Sequence, residues 1–125
     1  MKEKDITFKA RTIEGEWVCG DLERRKATGK CFIHTYNADG TYNKQYEVDP
    51  DTVGISTGHK DCRGTDIFTG DIVKLGIMTT FVEFEPDLGF VYGGLTWGML
   101  KPATIHELEI VGNIHDENNP LTAKA

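Results

Sequence analysis

The sequence lacks the features that mark membrane and secreted proteins. It contains no run of 18 apolar residues, and the stretch from Met1 to Lys9 holds no apolar segment of signal-peptide length. Its three cysteines, Cys19, Cys31 and Cys62, are odd in number and widely spaced, so a disulfide framework is not expected. These absences predict a protein of a reducing compartment such as a cytoplasm, with no membrane partner.

The sequence also lacks the excess of basic side chains that is typical of nucleic-acid-binding proteins. Its net charge is -6, since residues 1–50 carry nine basic and nine acidic side chains and residues 51–125 carry five and eleven. Nonspecific nucleic-acid binding depends on neutralising phosphates with Lys and Arg, so this balance argues against nucleic acid as a partner. A basic cluster from Arg24 to Lys30 leaves a local contact with phosphates or an acidic partner open.

Long amphipathic helices are absent from the pattern, whereas short alternating and β-branched segments recur. In the first part of the chain such segments lie at residues 6–11, 17–22, 31–36 and 42–48. The pair Asp39-Gly40 favours positive φ and predicts a hairpin turn before the last of them. We therefore predict an N-terminal β region over residues 1–52.

The second part of the chain predicts a small SH3-like β-barrel over residues 71–118. Strand signals lie at residues 71–75, 78–84, 90–92, 95–97 and 109–114, and Thr104 to Leu108 can form one helical turn. Residues 53–70, rich in Gly and Asp, are interpreted as a connection structured by turns, and residues 119–125 as a flexible tail. The prediction is an all-β protein that folds as one cooperative unit.

Two blocks in the middle of the chain resemble the YopX family of phage and prophage proteins. The first is Val53-Gly54-Ile55-Ser56-Thr57-Gly58-His59-Lys60-Asp61-Cys62-Arg63-Gly64, and the second is Ile67-Phe68-Thr69-Gly70-Asp71-Ile72-Val73. Their joint Thr-Gly-x-x-Asp-x-x-Gly and Gly-Asp-Ile-Val patterns carry the specificity. Shorter matches extend the likeness from about residue 6 to residue 116. The departures are Cys62-Arg63, where small or polar residues are usual, and Thr65-Asp66, where a Lys is common.

The resemblance implies architecture and origin rather than chemistry. It implies an N-terminal β region followed by an SH3-like barrel, in a protein encoded by a phage or an integrated prophage. It carries over no catalytic residue.

Metal and cofactor sites are not predicted. A calcium loop that starts at Asp61 would place Arg63 at its third position, where an oxygen ligand is needed. Zinc ligands are commonly paired at short spacing, but Cys31 and His34 point to opposite faces of an extended strand. Cys62 beside His59 could be an activated nucleophile, although a cysteine on a turn without special reactivity is the simpler interpretation.

The candidate binding residues are the aromatic side chains Phe90, Tyr92 and Trp97. With Gly93-Gly94 between them, they could line a groove like those in which small barrels hold peptides or stacked bases. Core packing of one or more of these rings is the competing interpretation.

Three hypotheses for the function follow. We favour a non-enzymatic binding or assembly module that presents loop and barrel surfaces to a macromolecule of the host or phage. The second is a small enzyme that acts on a nucleotide or nucleic acid through Asp61, Asp71 and His59, which requires these side chains to converge in one pocket. The third is a structural protein that assembles with copies of itself into a homo-oligomer.

Overall fold

The structure is a computed structural model that describes residues 7–92, 95–96, 102–117 and 119–121. The chain forms two compact units with the boundary between Ser56 and Thr57. Both units consist of antiparallel strands, which confirms the all-β prediction. Among the described helical segments, none is long and apolar enough to cross a membrane.

The first unit is built from one antiparallel sheet. Its strands are β1 (Phe8–Arg11), β2 (Trp17–Arg25), β3 (Lys30–Tyr36), β4 (Tyr42–Val48) and the first part of β5 (Gly54–Lys60). They lie in the order β4-β3-β2-β1-β5. The meander from β1 to β4 follows the chain, because short turns join each strand to the next, and the predicted hairpin at Asp39-Gly40 is present.

One face of this sheet encloses the core of the first unit. Its buried members are Ala10, Cys31, Ile33 and Val48, against which partly buried apolar side chains pack. The sheet curves until the end of β4 reaches the residues after β1. Thr12 and Val48 then form an isolated antiparallel bridge, and the Asp49 amide donates to the Arg11 carbonyl at 2.9 Å. We call these contacts the seam; they let a single sheet surround its own apolar face.

Gly20 is required where β2 passes β3. A Cβ atom at this position would lie 2.1 Å from the carbonyl oxygen of His34, a distance that no side chain can adopt. Phe8 is the cross-strand partner of Gly20, so its ring lies on the face that the glycine leaves bare. The close approach of the two backbones thus depends on this one glycine.

The second unit contains an open five-stranded sheet. After β6 (Asp66–Phe68), which pairs with the end of β5, come β7 (Asp71–Leu75), β8 (Met78–Glu85), β9 (Gly89–Tyr92), β10 (Leu95–Thr96), the helical turn α1 (Pro102–Ile105) and β11 (Glu109–Asn113). The order is β10-β9-β8-β7-β11, and within the described residues no ladder joins β10 to β11. A closed barrel is therefore not observed. The helical turn begins at Pro102, two residues before the predicted start, since proline suits the first position of a helix.

The core of the second unit is a separate cluster. It consists of buried side chains from the sheet, from β6 and from the turn before β11: Ile67, Val73, Val82, Tyr92, Ile105 and Leu108. The two units thus have a core each, and each core is assembled from strands that are close in sequence.

The segment predicted as a turn-rich connection, residues 53–70, contains the two strands β5 and β6. The glycines of this segment interrupt the alternation of side chains, so the sequence does not indicate the two strands. Gly58 has φ +82° inside β5, and Gly64 and Gly70 have φ +82° and +90° in the turns that follow. The segment interpreted as a turn-structured connection therefore contains turns at positive-φ glycines and, in addition, two strands.

The beginning of the predicted flexible tail is held against β11. Asn119 is buried, and its amide group donates to the carbonyls of Ile114 and Asp116 at 3.3 and 3.1 Å. Pro120 lies next to Gly112. Residues 119–121 therefore have a fixed place because a polar side chain satisfies backbone acceptors, a signal that composition did not reveal.

Candidate interaction surface

The outer face of β2, β3 and β4 carries a connected set of polar and aromatic side chains. Leu22 and Ile33 pack toward the core, so the alternation of side chains directs their neighbours to the opposite side. We call the following residues the aromatic face: Asp21, Glu23, His34, Tyr36 and Tyr42. The register brings them together, because Asp21 pairs with His34 across β2 and β3, and Tyr36 pairs with Tyr42 across β3 and β4.

Two tyrosine rings form a right-angled corner on this face. The ring centroids of Tyr36 and Tyr42 are 5.7 Å apart, and the ring planes meet at 80°. Each residue remains about half exposed, at 50% and 52%. The His34 ring lies 5.8 Å from the ring of Tyr42. Edge-to-face pairs of this kind stabilise by about 1 kcal/mol beyond the area that they bury, so the corner is rigid yet open to solvent.

His34 joins the corner to Glu23 through two hydrogen bonds. Its Nε2 atom lies 2.6 Å from Glu23 Oε1, and its Nδ1 atom lies 3.0 Å from the Tyr42 hydroxyl. An ionised carboxylate only accepts hydrogen bonds, so Nε2 carries the proton that is donated to Glu23. In the neutral imidazole Nδ1 is then the acceptor, and the Tyr42 hydroxyl donates to it.

Glu23 is held in its ionised form. The Arg25 Nε atom donates to Glu23 Oε2 at 2.9 Å, and this hydrogen bond, followed by that from His34, lowers the pKa of Glu23. The guanidinium of Arg25 also lies over the ring of Phe32, 3.9 Å from its centroid, and reaches Gln45 Oε1 at 3.4 Å. This face therefore already contains one guanidinium held between an aromatic ring and acceptor oxygens.

The Tyr36 hydroxyl lies near a second carboxylate, that of Asp21. Interaction with this carboxylate is the main reason that the pKa of Tyr36 is raised. With His34 neutral, the Tyr42 hydroxyl donates to its Nδ1 atom, and the phenol oxygen of Tyr42 then offers lone pairs to a partner.

A second aromatic group lies on β1 and β2. The Nζ atom of Lys9 and the guanidinium of Arg11 each lie 5.1 Å from the ring centroid of Trp17. A surface groove of about 440 Å³ at the seam begins beside Arg11 and is lined by Ile13, Glu47 and Pro50 among others. Charges of both signs line it, so it favours no single class of ligand.

Two of the predicted binding residues are part of the second core. Tyr92 is 2% exposed, and Phe90 is partly buried against the same cluster, while Trp97 lies outside the described residues. Burial raises the pKa of Tyr92, and its hydroxyl has no hydrogen-bond partner within the described part of the chain. Packing thus accounts for the positions of Phe90 and Tyr92, and the binding role of the three aromatics stays a prediction.

Asp61, proposed for the enzyme hypothesis, organises the backbone of a loop. Its Oδ1 atom accepts from the amides of Arg63 and Thr65, each at 2.9 Å, and its Oδ2 atom accepts from the Ile110 amide at 3.1 Å. Burial alone would raise the pKa of Asp61, but the amide hydrogen bonds of Thr65, Ile110 and Arg63 outweigh it and the pKa is lowered. A catalytic base needs the opposite shift, toward neutral pH.

Asp71 and His59 have positions that do not resemble a catalytic pair. Asp71 is fully buried and accepts from the Phe68 amide at 2.8 Å and from the Asn113 side chain at 3.1 Å. The His59 amide donates to the Thr57 hydroxyl, and its side chain is partly exposed. In the described contacts, Asp61 therefore accepts from backbone amides, and Asp71 accepts from one backbone amide and one side-chain amide.

The cysteines considered for metal binding and reactivity lie in different units of the chain. Cys31 is buried in the first core, whereas His34 lies on the outer face, as their spacing predicted. Cys62 is exposed on the turn after β5. Within the described ranges, no group of three or more His, Cys, Asp or Glu side chains is placed to hold a metal ion.

The sequence did contain a signal for the aromatic face. Every second residue of β3 from Lys30 to Tyr36 is basic or aromatic, and the hairpin at Asp39-Gly40 places β4 beside it. The pairing of Tyr36 with Tyr42, however, follows a register shift between Thr35 and Tyr36. Such an irregularity cannot be read from a regular alternation of side chains.

The comparisons with known proteins give one match. A family model described as YopX protein matches residues 7–122, which is nearly the whole chain. No curated protein and no solved structure matches.

Proposed function

This chain belongs to the YopX family, and from that premise we propose that it is a non-enzymatic binding module of phage or prophage origin that binds a host or phage macromolecule through its aromatic face. The observation that carries this proposal is the corner between Tyr36 and Tyr42. Half-exposed tyrosines that lose little freedom on binding are typical of residues that dominate protein interfaces.

The fixed geometry of the face supports binding rather than catalysis. Hydrogen bonds join several of its side chains, as in the series from Tyr42 through His34 to Glu23. Side chains that are already ordered lose less entropy when a partner binds. The aspartates of the enzyme hypothesis, in contrast, are occupied by backbone amides, so their chemistry is used in folding.

The second unit is proposed to be an SH3-like scaffold. The four strands β7 to β10 follow one another as a meander, the helical turn α1 comes next, and β11 returns to pair with β7. This is the strand order of a small barrel of that type, in which the last strand lies beside the first. In a closed barrel the edge strand β10 would lie beside β11. Measured distances between backbone protons of these two strands would test this proposal.

The bacterial cytoplasm is the proposed location. Cys31 and Cys62 are free thiols, and Cys62 is exposed. Exposed free thiols persist in reducing compartments, where disulfide formation is not favoured.

Affinity capture with matched variants tests the binding function. Tagged wild-type protein, a Tyr36→Ala/Tyr42→Ala double variant and a Phe84→Ala control are incubated with host cell lysate, with and without nuclease. Phe84 is a suitable control because it is an aromatic residue with 52% exposure in the other unit. We expect the wild type and the control to capture a partner protein whether or not nuclease is present. The double variant should not capture it.

Three results would contradict the proposal. A partner retained equally by the double variant would show that the aromatic face is not used. Partners lost on nuclease treatment would favour the basic cluster from Arg24 to Lys30, which lies on the exposed hairpin between β2 and β3. Capture of the protein by itself alone would favour the self-assembling alternative.

A further inference from the structure

We propose that the corner between Tyr36 and Tyr42 binds the cationic side chain of an arginine or lysine in a basic segment of the partner protein. This inference rests on the proposed function and names the chemistry of its partner. Four features of the aromatic face lead to it: ring geometry, the direction of its hydrogen bonds, its charge and the position of its own arginine.

The ring geometry suits a cation. The two ring planes meet at 80°, with their centroids 5.7 Å apart, so that they form two adjoining walls. Aromatic faces attract cations through their quadrupole, and sites for alkylated ammonium groups are commonly made of rings set at steep angles. Both rings are about half exposed, so a side chain from solvent can reach them without rearranging the sheet.

The acceptor groups of the face favour a partner that donates. With His34 neutral, the Tyr42 hydroxyl donates to it, so the phenol oxygen presents lone pairs to a partner. The carboxylate of the exposed Asp21, near the Tyr36 hydroxyl, is a second acceptor. Guanidinium and ammonium groups offer only donors, whereas an acidic or phosphorylated segment would offer only acceptors.

The charge around the corner has the complementary sign. Asp21, Glu23 and Glu47 lie on this face through the register of β2, β3 and β4, and Arg25 is paired with Glu23 at 2.9 Å. The chain as a whole has a net charge of -6. A basic segment is therefore attracted to this surface, and the phosphates of a nucleic acid are repelled by it.

The face already binds one cation of its own in the proposed manner. The Arg25 guanidinium lies over the Phe32 ring at 3.9 Å while it donates to Glu23. Further along the same strands, Tyr36 and Asp21 offer a ring and a carboxylate that lie diagonally across β2 and β3, and among the described contacts no cation of the chain lies over the Tyr36 ring. We infer that the partner supplies the second cation.

A pair of synthetic peptides tests the inference directly. The probe is a short peptide of alternating arginine and glycine with blocked ends, and its control carries citrulline in place of arginine, which keeps the shape and removes the charge. Titration is followed by calorimetry and by the NMR signals of the Tyr36 and Tyr42 rings. We expect the arginine peptide to shift both rings and to bind at least about tenfold more tightly than the citrulline peptide.

Variants of the full chain locate the binding. Tyr36→Ala/Tyr42→Ala should abolish the binding of the arginine peptide, and Asp21→Asn should weaken it about fivefold and reduce its dependence on salt. Phe84→Ala should leave it unchanged. A lysine version of the peptide should bind more weakly than the arginine version, because only the guanidinium stacks flat on a ring.

Several results would overturn the inference. These are equal affinity for the citrulline peptide, unchanged affinity in the double tyrosine variant, no binding of the arginine peptide at millimolar concentration, and tighter binding of a single-stranded oligothymidine. Concentration-dependent dimers that dissociate when Arg24 and Lys26 are replaced by glutamate would place a second copy in the corner instead.

The two proposals can fail separately. If capture from lysate depends on the face but the peptide does not bind, only this inference fails. If the peptide binds but no partner is captured, the proposed function fails.

Discussion

The carboxylate of Asp61 accepts a hydrogen bond from the backbone amide of Ile110, 49 residues further along the chain, at 3.1 Å. The same carboxylate binds two amides of its own loop, and the Cys62 amide donates to the Leu108 carbonyl beside it. The loop after β5 is thereby fixed to the last strand of the second unit. Much of the stability of that unit should depend on this one side chain.

Replacement of Asp61 tests this dependence. Asp61→Ala leaves three backbone amides without their acceptor, and we expect the free energy of unfolding to fall by about 3 kcal/mol. Asp61→Asn keeps one acceptor oxygen and should cost about half as much. Urea denaturation measures both. The control is Asp66→Asn, which removes an exposed ion pair with Lys60 and should change stability by less than about 0.5 kcal/mol; a similar loss in all three variants would contradict the assignment.

The pH dependence of stability should carry the signature of Asp61. Its pKa is lowered in the folded state, whereas an aspartate in the unfolded chain titrates near about 4. Its contribution is therefore complete above about pH 4 and is lost as the pH falls through the lower folded pKa. The difference in urea midpoint between wild type and Asp61→Asn should narrow as the pH falls below about 4. A difference that stays constant over this range would exclude the proposed role.

Gly20→Ala should destabilise the first unit strongly. The added Cβ atom would meet the His34 carbonyl oxygen, and because this oxygen belongs to the backbone, two strands must separate. We expect a loss of about 3 kcal/mol. Gly29→Ala is a matched control, since Gly29 has φ +77° but nothing within 4 Å of the added atom, and about 1 kcal/mol is expected there. Thermal unfolding distinguishes the two, and equal losses would refute the steric argument.

Valine at Gly58, Gly64 and Gly70 should lower the melting temperature in each case. All three glycines have φ between +82° and +90°, where a β-branched side chain is strained, so each replacement should cost about 1 kcal/mol or more. The loss should be largest at Gly70, because the side chains of Asn113 and Ile114 lie 3.6 and 3.8 Å from an added Cβ atom and leave little room for the two methyl groups of valine beyond it. Unchanged melting of all three variants would contradict the structural account of this segment.

The motif by which the sequence resembles its family proves to be architectural. The Thr57 hydroxyl donates to the Ile67 carbonyl at 2.9 Å, Gly58 and Gly64 supply positive φ, and Asp61 binds three amides. Each of these roles concerns the backbone of β5 and the loop after it. The described contacts of these family residues are thus structural ones.

The sequence predicted the strands better than the contacts between them. Alternation along segments such as Cys31 to Tyr36 located most strands, because one face of each is buried. It missed β5, where Gly58 interrupts the pattern, and it gave no indication that the sheet closes on itself at Thr12 and Val48. Contacts of that kind depend on curvature and register over many residues, which no local pattern specifies.

The candidate surface was missed for the same reason. The alternation of side chains predicts the strands that contain Tyr36 and Tyr42. The contact between their rings depends on the register shift after Thr35, and the hydrogen bond from His34 to Glu23 connects it to β2. The sequence favoured Phe90 and Tyr92 because aromatic residues near glycines suggest a groove. Both side chains instead pack in or against the second core.

The seam between Thr12 and Val48 implies an order of events when the first unit folds. The hairpins from β2 to β4 join residues that are close in sequence and can form within microseconds. The seam joins positions 36 residues apart, so its formation must wait until those hairpins have curved into place. The amide hydrogens of Ile13 and Asp49, which close it, should accordingly be among the last in this unit to gain protection during refolding and the first to exchange when it opens.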